Sequence, residues 1–109
     1  MSTATLIETT VGTTTNGGAR ITRIYHAGEL TVRVRVAHDS YRVQSYALAE
    51  VLTPGLDWTK ITETPPEEFH YAGRGGANKV TKEPCEADLL AIADDLAARA
   101  ARILRVSAA

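Results

Sequence analysis

Two sets of side chains in this chain have the types and spacing to do chemistry. Arg33 and Arg35 in one run, and Arg42, Gln44 and Tyr46 in the next, sit at alternate positions, so in extended strands each set points to one face. Guanidinium groups neutralise phosphates and aromatic rings stack bases, which makes this an expected platform for single-stranded nucleic acid or nucleotides. The competing account is a solvated face whose long side chains cover one another. Further along the same alternation Leu48, Leu52 and Trp58 gather with Tyr46, while Glu50 and Lys60 lie between them. Apolar surface of that kind marks a docking site for a protein partner or a second copy of the chain, with tryptophan as a frequent anchor. Phe69 and Tyr71, or the N-terminal segment, folding over Trp58 would account for it without a partner.

Other constellations carry less. Gly73-Arg74-Gly75-Gly76, with Lys79 and Lys82, offers backbone N–H groups and cations to an anion, but it lacks the Gly-Lys-Ser/Thr ending of a nucleotide-binding P-loop and reads first as a loop. Arg74 and Lys79 therefore count as helpers to the arginine face. His26, His38 and His70 share no metal-ligand spacing. Cys85, in the first turn of a helix, would have its thiolate stabilised, yet no signature of a thiol enzyme surrounds it. Catalysis would need His70, Cys85 and a carboxylate in one pocket, so the expectation is no enzyme, with no metal and no cofactor.

The elements that must position these groups follow from periodicity. Leu30, Val32, Val34 and Val36 alternate with Thr31, Arg33 and Arg35, which specifies a strand with one dry face. Asp39-Ser40 is the expected two-residue turn of a hairpin, placing Val36 opposite Val43, Val34 opposite Ser45, Val32 opposite Ala47 and Arg33 opposite Tyr46. Ala19 to Tyr25 reads as the preceding strand, its register left open between a two-residue and a three-residue turn around Ala27-Gly28, because a one-residue slip exchanges the faces. Trp58 to Thr62 is a short strand after Thr53-Pro54-Gly55-Leu56-Asp57. A five-residue loop there puts Lys60 across from Glu50 and Ile61 beside Ala49, sparing Lys60 an unpaired burial.

Residues 1–18 are an edge strand or a loose tail, and residues 65–83 a long loop. A helix is expected over 84–105, with Pro84 in its first position, Glu83 as its cap and a core stripe of Leu89, Ile92, Ala93, Leu96, Ala100, Ile103 and Leu104. Ala91, Ala98 and Ala101 read as helix-promoting surface. The fold class is α+β, an antiparallel meander of three to five strands packed on one C-terminal helix.

Length and charge bound the rest. The chain's 109 residues suffice for a single domain with one core, and a net charge of −1 argues against a strongly electrostatic polyanion binder. One cysteine precludes an internal disulfide, and the start of the chain lacks both the basic residues and the apolar run of a secretory signal. The expected address is the cytoplasm, without a membrane span.

Asp39-Ser40-Tyr41, Gln44-Ser45-Tyr46-Ala47 and Trp58 at the start of the next strand together resemble short uncharacterised proteins of actinobacterial phages, over residues 20–62. The resemblance implies an accessory protein made inside an infected bacterium, acting on a host protein, and assigns no role to any residue. The functional expectation is a small protein-binding protein using Trp58, Leu48, Leu52 and Tyr46. The alternative is nucleic-acid or anion binding by Arg33, Arg35, Arg42, Arg74 and Lys79.

Overall fold

Alternating β-branched residues in the first half and alanine- and leucine-rich helical spacing in the second separate the chain into a sheet and one long helix. The computed structural model describes residues 3–14, 16–69 and 84–106. Five strands, β1 (Thr5–Thr13), β2 (Ala19–Ala27), β3 (Leu30–His38), β4 (Tyr46–Leu52) and β5 (Trp58–Glu63), form one antiparallel sheet in the order of the chain. A 3-10 turn at Pro66–Glu68 follows, and the helix α1 (Glu86–Leu104) packs across β2 to β5. Residues 1–18 thus supply the edge strand β1.

The β2–β3 turn is Gly28-Glu29, with Ala27 paired to Leu30 and Gly28 at φ 63°, the left-handed conformation that glycine provides in two-residue hairpin turns. That turn closes the open register. Ile21, Arg23, Tyr25 and Ala27 share the face of Val32, Val34 and Val36. Arg23 thereby lies on the helix side, where it pairs with Asp94 of α1.

The β3–β4 register differs from the expected one. Val36 faces Ala47 and not Val43, Val34 faces Ala49, and Val32 faces Val51, a slip of four residues. The cause is Asp39. Its carboxylate accepts hydrogen bonds from the backbone N–H of Tyr41 at 3.0 Å, from the Thr14 hydroxyl and from the Asn16 side chain at 3.1 Å, so it is consumed in clasping two turns together. The chain then makes a 3-10 turn over Arg42–Gln44 before β4 begins, leaving Val43 86% exposed. Because four is even and side chains alternate with period two, the slip exchanges no faces.

β4 and β5 meet as expected at Glu50 and Lys60, but a bulge there pairs Ala49 with Thr62 and not with Ile61, which still packs against the core. The helix side is dry. Leu89, Ala93, Leu96 and Ala100 land on Ile21, Val34, Val36, Ala47 and Ala49, and Phe69 joins the same cluster. One member of the expected stripe, Ile103 in the last turn of the helix, is exposed, while Ile92 and Leu104 pack against the cluster. Nor does α1 start on Pro84. Cys85 is its cap, and the Asp88 carboxylate reaches back to accept from the Cys85 N–H at 2.9 Å. Arg99 ties the helix to the far edge by donating to the Glu63 carbonyl at 3.1 Å. Residues 70–83, most of the expected long loop, lie outside the described residues.

Two predictions follow from the clasp. A Cβ on Gly18 would lie 1.8 Å from the His38 carbonyl oxygen, whereas one on Gly55 meets only ordinary contacts at 3.8 Å. Gly18→Ala is expected to cost more than about 2 kcal/mol in urea unfolding and Gly55→Ala less than about 0.5 kcal/mol. Hydrogen bonds from Thr14, Tyr41 and Asn16 lower the Asp39 carboxyl to about 2. Its stabilising contribution is present above the ordinary carboxylate range near about 4 and is lost as pH falls toward 2. Urea midpoints of wild type and Asp39→Asn should therefore differ by a constant amount above that range and converge below it.

Candidate functional site

The face opposite α1 carries the groups singled out in the sequence. Arg33 and Arg35 on β3, Tyr46, Leu48, Glu50 and Leu52 on β4, and Trp58 and Lys60 on β5 all project from it, as the pairings Arg33 with Glu50, Arg35 with Leu48 and Leu52 with Trp58 require. Among the described residues no second layer of secondary structure lies over it. Phe69, one candidate cover for Trp58, is in the main core instead. β1 extends the sheet and does not fold back, and Tyr71 is outside the described residues.

Glu50 organises this face. Its Oε1 accepts from Nε of Arg33 and from Nε of Arg35, each at 2.9 Å, and its Oε2 accepts from Nη2 of Arg35 at 3.2 Å. The residue is only 7% exposed. Burial alone would raise its carboxyl, but the hydrogen bonds and positive charges of the two arginines outweigh that effect and hold it below the ordinary carboxylate value. Each guanidinium also lies over a ring. Cζ of Arg33 is 4.2 Å from the Trp58 ring centre, reaching it across β4, and Cζ of Arg35 is 5.4 Å from that of Tyr46. Lys60 pairs with Glu63 at 2.9 Å on the same face.

Chemically this is a pre-ordered, nearly charge-balanced surface with half-buried Leu48 and Leu52 beside it. The expected contact of Arg33 with Tyr46 is replaced: the four-residue slip gives Tyr46 to Arg35 and Glu50 to Arg33. Sequence reasoning missed the Glu50 bridge because it took the shortest turn. A register chosen to oppose charges on the shared face would have found it. The side chain of Arg42 lies outside the described residues, as do Arg74, Lys79 and His70.

A second concavity lies on the helix side. A groove of about 260 Å³ is lined by Tyr25, Ala27, Val32, Ala97, Ala101 and Leu104, with Asp94 as its one charged residue. Ala101, expected on the surface, is buried beside it. Cys85 is exposed at the helix start, and among the described residues no cluster of His, Cys, Asp and Glu can hold a metal ion. Nor is any described helix long and apolar enough to cross a membrane. Compared with protein-family models, with curated proteins and with solved structures, the chain matches none.

The ion pairs make the outer face of β3 sensitive to charge as well as its helix side. Val34 is fully buried, and Val34→Asp should abolish cooperative folding by burying an unpaired carboxylate. Arg35→Asp would set a second carboxylate against Glu50 and is expected to cost about 1–2 kcal/mol without unfolding the chain. Thermal melts followed by circular dichroism check both.

Proposed function

We propose that this chain is a small non-enzymatic binding protein that engages another protein through the sheet face bearing Trp58, Tyr46, Leu48 and Leu52. The observation that carries the reading is the Glu50 bridge between two arginines whose guanidinium carbons lie over two aromatic rings. Arginine, tryptophan and tyrosine are the residues that most often dominate protein interfaces. Their mutual stacking lowers the entropy lost when a partner orders them. Leu48 and Leu52 supply adjacent apolar area.

Nucleic-acid binding through Arg33, Arg35 and Arg42, helped by Arg74 and Lys79, has less support. Glu50 already takes both Nε groups, each ring carries a guanidinium where a base would stack, and Glu63 offsets Lys60. A polyanion gains affinity from many uncompensated cations, and this face has few. The phage resemblance supplies a setting in which the partner is a host protein, reached in the cytoplasm of an infected cell.

The experiment is affinity capture from the native host with mass spectrometry, repeated with Trp58→Ala and Leu48→Ala, alongside light scattering of the purified chain. A protein held by wild type and reduced at least tenfold by both folded variants supports the proposal. A wild-type monomer at high concentration leaves a foreign partner, whereas a dimer weakened by Trp58→Ala makes the partner a second copy. Capture indifferent to both variants, or retention of nucleic acid that fades with moderate salt, would overturn it.

A further inference from the structure

We infer that Arg33, assisted by Arg35, is a recognition site for one side-chain carboxylate of the partner, an aspartate or glutamate flanked by apolar residues in an extended segment. The inference rests on the protein-binding reading of this face and specifies its chemistry.

The first support is a charge count. Two guanidinium groups share the single carboxylate of Glu50, and Lys60 is matched by Glu63, so one positive charge on this part of the face is uncompensated. One further carboxylate balances it. A phosphate chain would bring several charges toward the Glu50 carboxylate, which repels them.

The second support is a donor count. A guanidinium carries five N–H bonds in a planar fork. Glu50 occupies Nε of Arg33, and Nε and Nη2 of Arg35. Among the described residues, Nη1 and Nη2 of Arg33 meet no protein acceptor. Neither is sealed from solvent, in contrast to Nε of Arg23, which is buried without a hydrogen-bond partner. The Arg33 side chain as a whole is 24% exposed, and its Nε is the atom engaged by Glu50.

The third support is orientation. With Nε held by Glu50 and Cζ over the Trp58 ring, the Arg33 fork has little rotational freedom left to lose. Leu48 and Leu52, both half-buried, flank Glu50 along the same face of β4. Paired parallel N–H donors suit the two oxygens of a carboxylate, and a lysine at the same position could not reproduce the geometry. The leucines select apolar neighbours for the acid. Glu50 is thus a positioning residue, which sets the fork and keeps the site's excess charge to one.

The test is nuclear magnetic resonance of the full chain, following the Arg33 Nε–Hε and Trp58 indole signals. The probes are a capped short peptide with one glutamate between leucines, its glutamine twin, and a short single-stranded DNA. The glutamate peptide should shift both signals with at least about fivefold higher affinity than its twin, and Arg33→Lys should erase that preference while the fold is retained. Glu50→Gln should narrow the preference for the peptide over DNA. Equal binding of the two peptides at Trp58 would overturn the carboxylate site and leave the apolar docking face standing. Silence of both peptides, or a preference that survives Arg33→Lys, would also overturn the site, with the broader reading judged by its own capture experiment. Tighter binding of DNA would overturn both. Concentration-dependent shifts without any probe would give the face to a second copy of the chain and reject a foreign acidic segment.

Discussion

Burial of Val34 and Val36 beneath Leu89 and Leu96 is the constraint on which the other features depend, because it commits one face of the sheet to dryness and assigns every alternate residue to the other. A strand reading Val-Arg-Val-Arg has no freedom once its valines are packed. Turning it over would bury two guanidinium groups under a helix that offers them leucine and alanine. The parity is stronger than the register. β3 and β4 pair four residues away from the shortest hairpin, yet the same side chains remain inside and outside.

On the outward side the difficulty is the reverse. Glu50 is nearly buried although, among the described residues, no helix covers it, and Arg33 and Arg35 hold its carboxylate. Withdrawing a carboxylate from water is costly, and an ion pair of this kind seldom stabilises a fold more than apolar residues of the same volume would. Its physical effect lies in orientation. Two long, flexible side chains are held in single arrangements, and the rings beneath them are held as well. A surface ordered in this way would lose little further entropy on association, which is the physical basis of the binding role proposed for it.

Much of the architecture was legible. The alternation in β3, the sequential hairpins, the proline-terminated last strand and the helical stripe each point to a meander under one helix, and they agree with one another. The connections were less legible, because a loop's length is decided by hydrogen bonds that sequence spacing does not display. Asp39 looks like an ordinary turn residue, but it is a clasp between the β1–β2 and β3–β4 turns, with partners 23 and 25 residues away. From that one misreading came the misplaced partner of Arg33. The alanines misled in another way. Propensity explains Ala98 and Ala101 as surface, and only the tertiary arrangement shows them lining a groove where small side chains admit space beside Tyr25.

The dry core and the outer charge cluster are therefore written into alternate positions of the same strands. Substitutions at Leu48, Leu52 or Trp58 fall outside the core cluster of Val34 and Leu96, so the outer face can change without rebuilding the core. Glu50 is the exception. It is buried like a core residue and charged like a surface one, so any change there alters the order of the face and the energetics of the sheet together. That coupling makes the carboxylate hard to replace. Removing it leaves two neighbouring cations facing one another over aromatic rings, and an apolar substitute leaves both Nε donors without an acceptor. The surface thus varies around Glu50 more easily than at it.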